Sequence, residues 1–334
     1  MIDFSLSTEQ LDLRAGLTAL FADHSTPARV RAAEPLGFDP ALWAVLTDFG
    51  FPHLAGSRDG APAGLAELVV AAQAAGACLA SVPLVETLVA TRLLDRLGRT
   101  GTDLVTFAPR PAIGGIARTV PWAAVADRVI AWDEGRLVVS GPGHDVTTPK
   151  QTLAGLALGH VDLTGATPLA DGPDAPELFD EALADWRVLT AAGLVGIGTA
   201  GLHLGVEYAK TRHQFGQPIG AFQALAHQLA DAATLVDGAE LLVLEAAWAA
   251  DTGSARRLGL AAMACTFAGR AARRATDRSL HAHGGYGYTL EYDIQLYFRR
   301  AKALGLLSDA AGGDGAATEA VVALALADTD EGRP

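Results

Sequence analysis

The feature that most restricts the fold is a long apolar segment, Ala182–Thr211, in which glycine recurs at short intervals. A glycine in a helix has no Cβ, so a neighbouring helix can approach its backbone closely. Hydrophobic residues make up 50% of the chain and aromatic residues 6%, so the core consists mainly of alanine, leucine and valine. Alanine and leucine favour helices. The segment therefore predicts a long helix in close contact with its neighbours through glycines 193, 196, 198, 201 and 205.

The apolar patterns along the chain predict helices first, then strands, then helices again. Ser7 or Thr8 can cap a first helix, whose expected buried side comprises Leu11, Leu13, Leu17, Leu20 and Phe21. A turn at Asp133–Gly135 between two apolar runs predicts a β-hairpin. The later helices are predicted over Ala182–Thr211, Phe222–Thr252, Ala255–Leu280, Glu291–Leu307 and Ala317–Leu326.

This order predicts three domains and a tail. They are an N-terminal α-helical domain (1–100), a small middle β domain (101–172), a C-terminal four-helix bundle (173–328) and a tail (329–334). The net charge of −13 argues against a nucleic-acid partner, because phosphate binding needs a basic face. Cys78 and Cys265 lack metal-ligand spacing, so no metal site is expected. Without an apolar signal core or a membrane-length run, we expect a soluble cytoplasmic protein.

Two segments carry the chemistry, Tyr208–Gln223 and His281–Glu291. The first contains Arg-His-Gln-Phe-Gly and the second His-Ala-His-Gly-Gly-Tyr-Gly. Together they resemble the flavin-diphosphate grip of the acyl-CoA dehydrogenase family. The stretches Phe4–Leu11, Phe38–Trp43 and Pro83–Thr87 resemble the same family, so the likeness extends over both helical regions.

The resemblance implies FAD as cofactor and assigns contacts to it. The Arg212 guanidinium can reach a diphosphate with two parallel hydrogen bonds, and Phe215 can pack against a flat ring. Gly284, Gly285 and Gly287 let a backbone approach the ligand, with amides facing phosphate oxygens. Gln214 and His281 complete the implied FAD contacts; the family usually has glutamine where His281 stands. In the family these residues contact the FAD of a neighbouring subunit, which implies an oligomer.

Taken singly, either segment has a plainer interpretation. Arg212 can be a solvated cation at a helix end, and the glycines a sharp turn. The two segments together favour the flavin interpretation. His283 is expected to be a structural, hydrogen-bonding histidine.

The resemblance also shows what this chain lacks. Family members use a glutamate to take the α-proton of an acyl thioester, and the matching position here is Ser308. A serine hydroxyl is a far weaker base than a carboxylate. Asp309, the next residue, is an alternative base of low weight. Some relatives keep the base on the first bundle helix, where this chain has Trp186.

Near Trp186, Asp185 and Glu181 are expected to be helix-start carboxylates favoured by the helix dipole. The middle domain also looks reduced, since the Thr-Glu-Pro-x-Ala-Gly-Ser type of segment is missing between Thr102 and Pro168. Trp122 and Trp132 can cover part of a ring there, but ordinary core residues are the commoner case.

These features resemble the short, glutamate-lacking subunits of actinobacterial heteromeric members that act on CoA thioesters of steroid side chains. The resemblance implies an α2β2 heterotetramer with a sister subunit that supplies the base, and an acyl-CoA substrate in β-oxidation of lipids. An acceptor such as electron-transfer flavoprotein is implied, and membrane insertion is not. The alternatives are a redox-neutral acyl-CoA lyase, a non-catalytic scaffold subunit, or a chain that acts alone with Asp309 as base.

Overall fold

The computed structural model describes residues 6–57, 61–99, 104–147, 152, 154–312, 314–319 and 321–322. The described residues form two compact units. One takes in those of Met1–Pro27, Val69–Ala80 and Arg187–Pro334, and the other those of Ala28–Leu68 and Ser81–Trp186. The predicted tail and the end of the predicted last helix lie outside the described residues; 314–319 and 321–322 are helical. The domain boundaries stay a prediction.

Among the described residues, five α-helices precede the strands: α1 Thr8–His24, α2 Pro27–Ala33, α3 Pro40–Asp48, α4 Leu65–Ala77 and α5 Leu84–Arg96. Ser7 caps α1 as predicted, and its side chain and that of Gln10 form a capping box. The predicted buried side of α1 is correct only in part. Leu17 and Phe21 are buried, whereas Leu11 is 42% exposed, because only the C-terminal half of this helix is covered.

Seven short strands follow in the part of the chain that the structure describes: β1 Val105–Phe107, β2 Ile116–Pro121, β3 Arg128–Asp133, β4 Arg136–Val139, β5 Val146–Thr147, β6 Leu158–Asp162 and β7 Thr167–Ala170. They form one sheet in the order β1-β3-β4-β7 and another in the order β2-β6-β5. The predicted hairpin is confirmed: Asp133 pairs with Arg136, and Glu134 and Gly135 both have positive φ, as a type I′ turn requires. Small apolar side chains fill this region, among them Ala117, Val120, Val129, Ala131, Val138 and Val161.

The remaining elements are α6 Ala175–Thr211, β8 His213–Gln214, β9 Gln217–Pro218, α7 Gln223–Asp251, α8 Arg257–His283 and α9 Ile294–Ala310. Helix α6 begins seven residues before the predicted Ala182. Pro176 explains this early start, because proline suits the first helical turn. Helix α9 continues to Ala310, beyond the predicted end at Leu307. Among the described residues, α6 is long and apolar enough to cross a membrane, but 78% of its most apolar window is buried, as in a core helix.

The glycines of α6 make the close helix contacts that the sequence predicts. A Cβ on Gly196 would lie 2.1 Å from the Gln73 carbonyl oxygen of α4. A Cβ on Gly205 would lie 2.5 Å from Ser279 Oγ of α8. No real Cβ tolerates such distances, so glycine is required at both positions. Helix α6 therefore fixes the positions of α4 and α8 against its own backbone.

Candidate functional site

The structure brings the ends of α6 and α8 together, and with them the two chemistry-bearing segments. The Tyr208 ring of α6 stacks on the His283 imidazole of α8, with ring centroids 4.2 Å apart. The Tyr292 ring meets both of them edge-on. His283 is buried, and its Nδ1 lies 2.7 Å from the Ser279 carbonyl oxygen. This supports the structural role expected for His283. Sequence reasoning missed Tyr208 and Tyr292, although both lie beside the quoted motifs.

Arg212 comes directly after α6, at the start of an exposed hairpin. Its backbone N–H donates to the Tyr208 carbonyl, and its own carbonyl accepts from the Ile219 N–H. The Arg212 side chain is exposed and makes no hydrogen bond or ion pair within the part of the chain that the structure describes. Backbone hydrogen bonds therefore hold Arg212 in position, while its guanidinium is open to a ligand or to another subunit.

The hairpin of β8 and β9 presents Phe215 at its tip. Phe215 and Gly216 have φ of 52° and 82°, so the two form the turn. Positive φ is unfavourable for a bulky residue. The Phe215 side chain is 93% exposed, and its ring touches Phe222 edge-on at a centroid distance of 6.1 Å. Gln214 is also exposed. An aromatic ring held in this way offers a flat apolar surface to a partner outside this chain.

The glycine-rich turn follows α8 as a 3₁₀ segment, Gly284–Tyr288. Gly284 has φ 63°, a conformation that favours glycine, and a Cβ on Gly284 or Gly285 would meet nothing within 4 Å. Gly287 differs, because its Cβ would lie 2.8 Å from the Leu280 carbonyl oxygen, so packing inside the chain already requires glycine there. His281 is exposed in the last turn of α8. Gly284 and Gly285 thus leave open backbone beside the end of α8.

Ser308, at the position matched to the family base, is closed off from solvent. It is 2% exposed, and its Oγ lies 3.0 Å from the Cys265 Sγ of α8. Burial raises the pKa of the Cys265 thiol to about 11; the Ser308 hydrogen bond opposes this shift. A neutral thiol beside a hydroxyl cannot take an α-proton at neutral pH. Sequence reasoning missed Cys265 as the partner of Ser308, since the two are 43 residues apart.

Asp309 lies one residue further along α9 and is exposed. Together with Ser308 it lines a pocket of about 70 Å³ between α8 and α9. A carboxylate so placed has access to water and is not enclosed against a substrate carbon, as a catalytic base must be.

The expectation that Asp185 and Glu181 are helix-start carboxylates is wrong. Because α6 begins at Ala175, both lie in the helix interior. Asp185 is 3% exposed and accepts hydrogen bonds from Arg92 Nε at 3.0 Å and Arg96 Nη2 at 3.1 Å. Glu181 pairs with Arg96 Nη1 at 3.2 Å. These carboxylates are held by arginines of α5 and serve the packing of α5 against α6.

Trp186 and Trp122 meet at a buried carboxyl that sequence reasoning missed, Glu86 of α5. The Trp186 Nε1–H donates to Glu86 Oε1 at 3.1 Å, and the Trp122 side chain hydrogen-bonds the same carboxyl. Burial raises the pKa of Glu86, and the two indole hydrogen bonds oppose that rise. Trp132 packs against Phe179, with ring centroids 5.4 Å apart. The two tryptophans of the β region, Trp122 and Trp132, therefore pack within this chain, as the ordinary-core interpretation expects.

Comparison with known proteins identifies the family. Residues 177–326 match the model of the acyl-CoA dehydrogenase C-terminal domain. Over 312 residues the chain is 34% identical to acyl-CoA dehydrogenase IpdE2 of Mycolicibacterium smegmatis, covering 89% of this chain and 93% of that protein. The chain belongs to the acyl-CoA dehydrogenase family. Members of this family are oxidoreductases that act on a CH–CH bond, and they use FAD.

Solved structures confirm the predicted acyl-CoA dehydrogenase fold. The Tcur3481–Tcur3483 steroid acyl-CoA dehydrogenase, in a G363A variant, superposes with a TM-score of 0.83 at 26% identity, covering 95% of this chain and 99% of that one. The ChsE4–ChsE5 complex of Mycobacterium tuberculosis gives a TM-score of 0.81 at 26% identity, with full coverage of both chains. The helical fold with a small β region and C-terminal helices is thus that of the acyl-CoA dehydrogenases.

Proposed function

We propose that this chain is the FAD-sharing subunit of a heteromeric acyl-CoA dehydrogenase, whose sister subunit supplies the catalytic base. The complex removes a proton from the α-carbon of an acyl-CoA and a hydride from its β-carbon. The observation that carries this proposal is the closed pair of Ser308 and Cys265 at the position matched to the family base. Since neither group takes a proton at neutral pH, the base comes from elsewhere.

The residues at the ends of α6 and α8 fit a flavin nucleotide that approaches from outside the chain. Arg212 offers a diphosphate a guanidinium that has no partner in the described part of the chain, and Gly284 and Gly285 leave room for the diphosphate beside their backbone. Phe215 offers a flat apolar face. Gln214 and His281 are exposed in the same two segments and add hydrogen-bonding groups. FAD, when bound, accepts the hydride.

The proposed assembly is an α2β2 heterotetramer in the cytoplasm. Two observations support a sister subunit: the exposed flavin-side residues, and the likeness to a steroid acyl-CoA dehydrogenase and to a ChsE4–ChsE5 complex. By analogy with these relatives, the substrate is the CoA thioester of a steroid side chain, and electrons pass to an acceptor such as electron-transfer flavoprotein.

The test is the FAD-to-polypeptide ratio and native mass of the chain, expressed alone and then with a sister acyl-CoA dehydrogenase subunit. We expect little flavin in the chain alone and a flavin-loaded heterotetramer on co-expression. Acyl-CoA should bleach the flavin absorbance of the heterotetramer and not that of the chain alone.

A homotetramer with one FAD per chain would contradict the proposal. If that homotetramer oxidised acyl-CoA, Asp309 would become the base to test. If it bound acyl-CoA without flavin bleaching, a redox-neutral lyase would be favoured. If substitution of Arg212 changed neither the flavin content nor the turnover of the heteromer, a scaffold subunit would be indicated.

A further inference from the structure

The pocket between α8 and α9 owes its space to two glycines that face each other. A Cβ on Gly269 would lie 3.7 Å from the Gly305 Cα, and a Cβ on Gly305 would lie 3.8 Å from the Arg273 Cδ. Both are ordinary van der Waals distances, so alanine would fit at either position. The pocket holds about 70 Å³, several times the roughly 10–15 Å³ that one water molecule needs.

A buried hydroxyl without a partner lies in the wall of this pocket. Thr266 is 9% exposed, and its Oγ1 makes no hydrogen bond to any residue that the structure describes. A helical threonine usually donates to the carbonyl four residues earlier, as Thr276 does to Ala272 at 2.8 Å. Since buried polar groups are almost always hydrogen-bonded, we expect the Thr266 hydroxyl to have a hydrogen-bond partner inside the pocket.

Charged side chains of both signs line the same space. Arg270 and Arg273 line the pocket, as do Asp309 and Asp314. Arg270 is paired with Asp314 at 2.9 Å, whereas the Arg273 side chain makes no hydrogen bond or ion pair within the described part of the chain.

A further guanidinium, that of Arg187, lies at the C-terminal end of α9, where it donates to the Ala311 carbonyl oxygen at 3.0 Å. Since Arg270 is already paired with Asp314, Arg273 is, among the described residues, the lining guanidinium that can take up an anion.

We infer that this pocket binds one small oxyanion, a carboxylate or a phosphate, with Arg273 as its cation and the Thr266 hydroxyl as a donor. The oxyanion lies beside Ser308, so it brings negative oxygen next to a position where family members carry a glutamate. The oxyanion also accepts a hydrogen bond from the Thr266 hydroxyl and pairs with the Arg273 guanidinium. This inference concerns the chain by itself and does not depend on the sister subunit.

The experiment uses thermal unfolding of the full chain, alone and co-expressed with its sister subunit. The probes are sodium formate and inorganic phosphate, each against sodium chloride at equal ionic strength. We expect the unfolding temperature to rise saturably, by about 4 °C at a hundred times Kd, with one probe or both. A response to formate alone identifies a carboxylate site, and a response to phosphate alone a phosphate site.

Two alanine variants locate the effect. The double variant Gly269→Ala/Gly305→Ala places two methyl groups in the pocket and should abolish the rise. Gly238→Ala is the control: it makes the same change on α7, at an ordinary 3.4 Å from the Phe267 ring, and should keep the full response. Arg273→Gln should weaken the response at least tenfold in apparent affinity.

The inference is overturned if neither probe acts beyond chloride, or if the double variant responds like the parent chain. If the double variant does not fold, binding is measured on the unmodified chain. Saturation-transfer NMR with ¹³C-formate then tests for carboxylate binding, and ³¹P line broadening tests for phosphate binding. The absence of transfer and of broadening at millimolar probe would equally end the idea.

Discussion

The C-terminal ends of α6 and α8 and the surroundings of Ser308, between α8 and α9, differ in how far the chain itself completes them. At the two helix ends, Phe215 is 93% exposed, the Arg212 side chain has no partner among the described residues, and Gly284 and Gly285 face open space. Ser308, by contrast, is 2% exposed and lies against Cys265. The helix ends, here called the open region, leave groups exposed that another molecule can contact. The surroundings of Ser308, here called the closed region, are packed within the chain.

The difference matters because a cofactor-binding site and a catalytic site tolerate the loss of a residue differently. A diphosphate contact needs charge, open backbone and the correct position, and a second subunit can supply the rest. A catalytic base needs one carboxylate against one carbon, and a thiol and a hydroxyl cannot replace it. We therefore expect changes at the open region to affect the complex, and changes at the closed region to affect the chain itself.

The largest expected effect comes from Gly205→Val, which disrupts the close contact between α6 and α8 on which both regions depend. Helix α6 carries Arg212 after its C-terminal end and Arg187 near the closed region. A Cβ at 205 would lie 2.5 Å from Ser279 Oγ and 2.8 Å from Ser279 Cα. We expect a loss of at least about 3 kcal/mol in the free energy of unfolding, or no folded protein. Urea unfolding measures it.

Gly16→Ala is the matched control for that change. A Cβ on Gly16 of α1 would meet nothing within 4 Å, so the helix gains propensity without a clash. We expect a gain of about 1 kcal/mol. A Gly205→Val protein as stable as the parent chain would show that the close contact of α6 with α8 is not required.

The second-largest effect is that of Arg212→Ala, which should change a property of the open region, FAD affinity, without changing the stability of the chain. Charge-assisted hydrogen bonds contribute about 1.5–3 kcal/mol, so the affinity of the heteromer for FAD should fall roughly 10- to 100-fold. The unfolding free energy of the chain alone should change by less than about 0.5 kcal/mol, since this side chain is exposed. Flavin content after gel filtration and urea unfolding measure the two quantities.

Lys210→Ala is the control, because Lys210 is also an exposed cation at this helix end but pairs with Glu207 of its own chain. It should leave FAD affinity unchanged. Equal flavin loss in both variants would attribute the effect to general charge rather than to the guanidinium of Arg212.

The sequence predicted much of the fold because its signals are local. Ser7 caps a helix through its immediate neighbours, and Asp133–Gly135 turns a hairpin within a few residues. The start of α6 was mispredicted because the stretch after Ala175 is polar and resembles a loop. The exposure of Leu11 was also missed, since an apolar stripe does not show whether another helix covers it.

The candidate site divides in the same way. The FAD-side residues lie in two short motifs, so the resemblance supplied them directly. Cys265 and Glu86 gave no such signal, because each acquires its role from a residue far along the chain, Ser308 or Trp186. An isolated cysteine or glutamate in a helix has the same local pattern whether it is exposed or buried.

The third effect tests the closed region through its thiol. The pKa of Cys265 rises from 9.0 to about 11 in the folded chain, since burial favours the neutral form. The stability that this contributes is present below pH 9 and is lost as the pH rises towards about 11. Relative to Cys265→Ser, whose hydroxyl does not titrate, the parent chain should lose on the order of 2 kcal/mol between pH 8.5 and 11. Urea unfolding at both limits measures this loss; parallel pH curves would mean that the thiol is not buried as described.

The smallest expected effect is that of Asp309→Asn, and it bears on the comparison most directly. Asp309 is exposed at the edge of the closed region, whereas a base for an α-proton has to be enclosed against the substrate carbon. Turnover of the heteromer with acyl-CoA should therefore stay within about twofold, as it should for Ser308→Ala. Substituting a true general base costs roughly 100-fold or more. A loss of that size in Asp309→Asn, with Ser308→Ala unaffected, would move the base onto this chain, and the sister subunit would then have to account for flavin binding alone.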